Sequence, residues 1–331
     1  MTRKPGVAIV GCGLIGKKRA AALGDAQLVA CADIVREKAA ALAAGTNAVP
    51  SNDWRAAIDR SDVDIVIAAT MNSLLPDIAV AALEAGKHVL IEKPAGRNVA
   101  DIDRIAAAQR SSGKLVRVGF NHRYHPALLK AKEVFDRGFL GEMMFVRGRY
   151  GHGGRVGYDR EWRADPALSG GGELIDQGVH LIDLSRQYLG EFTSVAGEAR
   201  TFFWDMPVDD NAFLLLETAT GQTAFLHASC TEWKNLFSLE IYGRDGKLHV
   251  EGLGGSYGVE RVTWYRMLPE MGPPETEAWE YPGADTSWKT EFDEFLEDVR
   301  LGRTPAAGLD DARAALAVVE RIYAASGYDR R

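Results

Sequence analysis

VAIVGCGLIG, residues 7–16, decides the fold. Four apolar residues without alternation read as a strand buried on both faces, and three glycines at the spacing G-x-G-x-x-G follow it directly. The next stretch is rich in Lys, Arg and Ala and reads as a helix. Strand, tight turn and helix open a βαβ unit: Gly11 permits the turn, Gly13 leaves room against the backbone, and Gly16 lets helix pack on strand. The rhythm continues outward. Apolar runs Val7 to Val10, Leu28 to Ala32, Ile65 to Ala68, Val89 to Ile91 and Leu115 to Val118 alternate with alanine-rich amphipathic stretches, which predicts a parallel sheet with helices on both sides.

Beyond Asn121 the texture changes to longer alternating segments, Met143 to Tyr150, Ser194 to Phe203, Ala212 to Thr218, Thr223 to Thr231, Phe237 to Tyr242 and Lys247 to Glu251. Turn chemistry at Thr220-Gly221 and Arg244-Asp245-Gly246 marks hairpins, so this half predicts an antiparallel sheet. Helices are expected over Pro126 to Arg137, Glu173 to Leu189, Trp288 to Leu301 and Leu309 to Ala325. The expected class is α/β: an N-terminal doubly wound parallel sheet of Rossmann type over residues 1–120, and a C-terminal α+β domain with a large open-faced, mainly antiparallel sheet over residues 121–331. The boundary leaves room for one or two of the last helices to pack back on the first domain.

The chain has 331 residues, 26% of them charged and 46% hydrophobic, which fits two folded domains and neither a disordered nor a membrane-embedded chain. A formal net charge of −7 offers no general attraction to nucleic acid. Cys12, Cys31 and Cys230 are odd in number and widely spaced, so neither a disulfide framework nor a structural zinc site is expected. The early strand leaves no room for a secretory signal, and a cytoplasmic location is the expectation.

The second apolar run, LVACAD, ends in Asp33, 22 residues beyond Gly11. An acid at that distance accepts hydrogen bonds from ribose hydroxyls, so the loop and Asp33 together point to a dinucleotide. A carboxylate repels a 2′-phosphate, which favours NAD over NADP; Arg36, three residues on, offers a partial counter-charge.

Glu84-Ala85-Gly86-Lys87-His88-Val89-Leu90-Ile91-Glu92-Lys93-Pro94, Gly119-Phe120-Asn121-His122-Arg123-Tyr124, Trp162-Arg163 and Gly170-Gly171-Gly172-Glu173-Leu174-Ile175-Asp176-Gln177-Gly178-Val179-His180 strongly resemble the glucose-fructose oxidoreductase, inositol dehydrogenase and rhizopine-catabolism (Gfo/Idh/MocA) family. The resemblance covers nearly the whole chain. It implies an NAD(P)-dependent sugar or polyol oxidoreductase whose active site lies between its two domains. It further implies that Lys93 is the active-site lysine, and that Asp176 and His180 are the catalytic aspartate and histidine. Asp176 and His180 are four apart, so one helix face carries both, and His180 is suited to accept a hydroxyl proton while the carboxylate raises its basicity. The expected cofactor contacts are Gly11, Gly13, Leu14, Ile15, Gly16, Asp33, Thr70, Asn72, Glu92 and Lys93. Arg123, His152, Trp162, Arg163 and Trp233, with Lys93, Asp176 and His180, are the expected substrate contacts.

Many relatives carry a Pro and a His near Asn72 that this chain lacks, having Met71 and Leu75 there. His122, His125, His152 and His227 form no ligand-spaced pair with Asp176 or His180, so no metal is expected. The glycine run 170–172 admits two readings: backbone amides open to a substrate phosphate, or entry into a packed helix. A non-catalytic dinucleotide-binding sensor is the competing function class, and it has no need of Lys93, Asp176 and His180 together. Too few helices follow residue 190 to cover both sheet faces, so a homodimer or homotetramer through the C-terminal sheet is expected.

Overall fold

The computed structural model describes residues 3–328, which fall into two compact units. One runs to Phe120 and takes in Trp288–Arg313; the other comprises Asn121–Ser287 and the chain from Ala314 onward. The helix Leu309–Ser326 is divided between them. Among the described residues no helix is long and apolar enough to cross a membrane.

In the first unit, strands β1 (Gly6–Val10), β2 (Gln27–Ala32), β3 (Val49–Ser51), β4 (Ile65–Ala68), β5 (His88–Glu92) and β6 (Val116–Gly119) form one parallel sheet in the order β3-β2-β1-β4-β5-β6. All residues of β1, β4 and β6 are buried, as strands covered on both faces must be. β3 was not expected: three residues including Pro50 carry no periodicity, and a proline is tolerated because the strand lies at the sheet edge. β1 and β4 end side by side, with Ala69 N–H donating to the Val10 carbonyl, so their C-terminal ends form one rim.

Residues Trp288–Arg313 group with the first unit, a return that the soft boundary left room for. Phe292 and Phe295, from the helix Ser287–Leu301, are fully buried in the first unit's core with Val7, Ile9, Ile67 and Leu90. Spaced three apart, they share a helix face that covers one side of the sheet. The same helix closes a buried ionic cluster in which Arg19 donates from Nε to Glu92 (2.6 Å) and from Nη1 to Glu291 (2.5 Å), with the Trp288 ring under its guanidinium.

In the second unit, β7 (Met143–Gly151), β8 (Phe192–Arg200), β9 (Asn211–Thr218), β10 (Thr223–Ser229), β11 (Leu236–Gly243), β12 (Gly246–Glu251), β13 (Glu260–Arg266) and β14 (Glu275–Tyr281) form a sheet in the order β14-β13-β12-β11-β7-β10-β9-β8. Every neighbouring pair is antiparallel except β7 with β10. β13 and β14 escaped the sequence reading; β14 is an edge strand with no buried residue and so no apolar alternation. β8 ends at Arg200 rather than Phe203 because the Asp210 carboxylate gathers the amides of Phe202, Phe203 and Trp204 out of the ladder. Helices Pro126–Asp136 and Val179–Leu189 pack on one sheet face. The other face exposes Phe213, Leu215 and Phe225 in adjoining strands, with Arg147 and Arg149 beyond them.

Candidate active site

Each glycine of the first loop has a separate physical reason. A Cβ on Gly11 (φ +95°) would fall 2.2 Å from the Ala69 carbonyl oxygen, and one on Gly16 would fall 2.0 Å from that of Gly11. Those two glycines let backbones approach. Gly13 differs: φ is −74°, a value any residue adopts, and among the described residues nothing beyond its chain neighbours and its own helix lies within 4 Å of where its Cβ would be. Its missing side chain serves no packing in the chain and leaves room for a ligand. It is also the N-cap of the helix Leu14–Ala21, whose first turn holds no acid, so free amides and dipole point at that space. Leu14 and Ile34 stand exposed nearby in sequence, Ile34 almost fully.

Asp33 follows β2, and its carboxylate accepts from Cys12 N–H (2.8 Å) and Val35 N–H (2.9 Å). The acid expected to read the ribose therefore also holds the glycine loop in shape. Thr70 lies beside Gly11, its Cγ2 3.1 Å from that residue's hypothetical Cβ, and Asn72 is buried. Glu92, expected at the cofactor, has its carboxylate in the Arg19 ion pair, which fixes the end of β5 just before Lys93. Lys93-Pro94 is a cis peptide, and Ala95 next to it is left-handed (φ 72°), a conformation a non-glycine residue holds only when its surroundings impose it.

In the second unit the helix expected over Glu173 to Leu189 is two pieces, a π-helical turn Leu174–Gly178 and the α-helix Val179–Leu189. π turns inside helices gather at functional sites. Asp176 lies in the π turn and accepts from Arg163 Nε at 3.1 Å; Arg163 covers the Trp162 ring at 4.7 Å. The Asp176 charge, chiefly, holds the Arg163 guanidinium above its ordinary pKa. His180 is buried and stacks on His122, with ring centroids 3.7 Å apart. Tyr150 meets both rings at a steep angle and its own ring lies 5.3 Å from that of Tyr257; burial pushes its phenol well above the usual range. His122 as a stacking partner, Tyr257 and Glu173 were not legible as site residues, because long-range packing alone assembles them.

Three of the sequence candidates meet partners inside the protein. Arg123, expected at the substrate, makes a bidentate pair with the buried Asp183 on the helix that bears His180 (2.8 and 2.5 Å). His152 has both ring nitrogens engaged inside the protein: Nδ1 accepts from Gly154 N–H (3.0 Å) and Nε2 faces Glu173 Oε1 (3.3 Å), which also accepts from the Tyr158 hydroxyl (2.6 Å). Burial pulls the His152 imidazole toward its neutral form and the Glu173 carboxylate more than offsets this, while the Gly154 contact requires a lone pair on Nδ1. The glycine run, for which two readings stood open, enters a packed helix. Gly171 N–H donates to Ser169 Oγ, Gly172 and Leu174 N–H to the Asp209 carboxylate, and Glu173 N–H to the Asp209 carbonyl. Trp233 is exposed, left-handed (φ 58°), and meets Phe203 edge to face at 4.7 Å.

Residues 6–120 match the family described as "Oxidoreductase family, NAD-binding Rossmann fold", and residues 128–249 match the "GFO/IDH/MocA C-terminal domain". The chain is 29% identical over 233 residues to levoglucosan dehydrogenase of Pseudarthrobacter phenanthrenivorans, covering 60% of this chain and 58% of that protein. It is 36% identical over 198 residues to inositol 2-dehydrogenase of Salmonella typhimurium, covering 58% of this chain and 56% of that protein. These matches thus span little more than half of each relative. The crystal structure of aldose-aldose oxidoreductase from Caulobacter crescentus, complexed with glycerol, superposes with a TM-score of 0.84 at 28% identity over 99% of both chains.

Proposed function

Because the chain belongs to the Gfo/Idh/MocA family of NAD-binding oxidoreductases, we propose that it oxidises a hydroxyl-bearing carbon of a cyclic sugar, sugar derivative or polyol, or runs the reverse reduction. The observation that carries this reading is a buried imidazole, His180, one turn beyond a carboxylate, Asp176, that a π turn displaces from regular helix. Bound NAD supplies the hydride acceptor. Gly11, Gly13, Leu14, Ile15 and Gly16 would hold its pyrophosphate, Asp33 would favour NAD over NADP, and Thr70 and Asn72 would serve the nicotinamide.

His180 takes the proton from the substrate hydroxyl, since an alcohol donates hydride poorly until its O–H is weakened. Asp176 orients that chemistry and is itself steadied by Arg163. Lys93 stabilises the developing alkoxide. Trp162 and Trp233 offer aromatic faces to a ring. The consumed amides of residues 171–174 give no support to a phosphate-bearing substrate, so free sugars and polyols stand ahead of nucleotide sugars.

We also infer a homo-oligomer, dimer or tetramer, through the exposed face of β8 to β10. Three cysteines, all buried and unpaired, suit a reducing, cytoplasmic compartment. The test is absorbance of reduced nicotinamide while levoglucosan, inositols, D-xylose and nucleotide sugars are offered with NAD or NADP. Oxidation of a sugar or polyol with NAD is expected; binding of NAD without turnover of any of them supports a sensor and overturns the enzyme reading.

A further inference from the structure

The turn that carries Asp176 is held from outside its own helix. Asp209, in the loop before β9, is completely buried, and its two carboxylate oxygens accept from Gly172 N–H at 2.9 Å and Leu174 N–H at 2.8 Å. Its backbone carbonyl takes Glu173 N–H at 3.0 Å. One short segment thus satisfies three consecutive amides at the head of the helix, groups a buried helix end must otherwise leave orphaned. The third member is Tyr323, from the helix Leu309–Ser326: its hydroxyl donates to Asp209 Oδ1 at 2.7 Å and lies 3.1 Å from Gly172 N. The fit is steric as well as polar. A Cβ on Gly172 would fall 1.8 Å from the Asp209 carbonyl oxygen, and one on Gly171 (φ +156°) would fall 2.2 Å from the Tyr323 hydroxyl oxygen.

We propose that Asp209 and Tyr323 are positioning residues that set the π turn at Leu174–Gly178 and thereby aim Asp176 and His180. The proposal rests on the reading of that pair as the proton-handling groups. Two features favour positioning over a plain cap. An Asn, Ser or Thr cap on the helix itself would satisfy amides locally, whereas this anion is 35 residues away in sequence from Leu174 and is itself braced by a group 114 residues further on. The amides it holds also lie at the entry to the non-α turn, Leu174 being its first residue, where a small shift rotates every side chain that follows.

Tyr323→Phe removes one hydroxyl without changing the apolar packing, and Asp209→Asn keeps the size while replacing one acceptor oxygen with an N–H₂ that faces a donor. Amide hydrogen exchange is read over residues 171–178, together with kcat, KM and NADH binding, using whichever of levoglucosan, inositol or D-xylose is oxidised. Expected for Tyr323→Phe are exchange at Gly172 and Leu174 at least tenfold faster, kcat down by about tenfold, and NADH affinity unchanged. Combining Tyr323→Phe with His180→Ala decides between roles. If the clamp works through His180, the double variant is no slower than His180→Ala alone; fully multiplied losses mean a general structural effect and overturn the proposal. Unchanged exchange in both Tyr323→Phe and Asp209→Asn also overturns it. Full turnover in His180→Ala instead overturns the assignment of the base, and the clamp is then decided by exchange alone.

Discussion

His122 and His180 stack face to face, their ring centroids 3.7 Å apart and their planes within 21° of parallel. The contact restrains the orientation of the His180 ring, as a positioned base requires. His180→Ala is expected to lower kcat for oxidation by ~10² to 10⁴ while NADH affinity, measured by fluorescence titration, stays the same. A near-normal rate in that variant places the base elsewhere. His152 is then a poor substitute, its two ring nitrogens being occupied.

Asp33 holds the glycine loop and, on the proposed function, also reads the ribose, and its replacement should reveal both. In Asp33→Ser the repulsion of a 2′-phosphate disappears, so the ratio of kcat/KM for NADP to that for NAD should rise by at least tenfold. The tie to Cys12 N–H is lost as well, so affinity for NAD should fall. A native enzyme that already uses NADP as well as NAD contradicts this account.

Gly13 and Gly16 should respond oppositely to the same added methyl. Gly13→Ala meets open space at an ordinary φ, so the unfolding midpoint should hold or rise slightly while NAD binding weakens at least tenfold. Gly16→Ala drives a Cβ onto the Gly11 carbonyl, so stability should drop by ~1 to 3 kcal/mol or more. Equal losses of stability in urea titrations would contradict the distinction.

Asp209 predicts a pH signature in stability. Burial pushes its carboxyl up from 3.8 to about 6, although hydrogen bonds from Tyr323, Leu174 and Gly172 pull the other way. A carboxyl whose pKa is higher in the folded state costs stability when charged. That cost is absent below 3.8, grows up to about 6 and stays constant above, reaching ~3 kcal/mol. The difference in unfolding free energy, native minus Asp209→Asn, should therefore decline across this window as the pH rises and then level off. A difference that does not change with pH would refute it.

Leu215 and Phe225 are register neighbours on the uncovered sheet face, each about half exposed. If this face joins copies of the chain, sedimentation velocity at micromolar concentration gives a dimer or tetramer, and Leu215→Lys with Phe225→Lys gives a monomer by placing two charges in an apolar contact. A monomeric native protein would rule out the interface.

Legibility followed burial. β1, β4 and β5 were readable because strands covered on both faces are continuously apolar, whereas β14 has no buried face and carries no such signal. Gly11, Gly13 and Gly16 declared themselves by spacing, and the structure supplied the different reason for each. Asp176 and His180 were visible as a four-residue interval; the π turn at Asp176 was not, and the groups that hold the amides at its entry, Asp209 and Tyr323, lie far along the chain. Arg123 looked available because a sequence shows a charge without its partner, and Asp183 lies 60 residues away.

The helix that brings Phe292 and Phe295 into the first sheet's core imposes an order of events on biosynthesis. Residues up to Phe120 leave the ribosome early, yet their sheet has one incompletely covered side until roughly 170 more residues have been made, about ten to thirty seconds at ordinary elongation rates. During that interval an apolar surface waits for a segment not yet translated. A nascent chain stalled after Phe120 should be a client for holdase chaperones, and one stalled beyond Arg313 should be released from them.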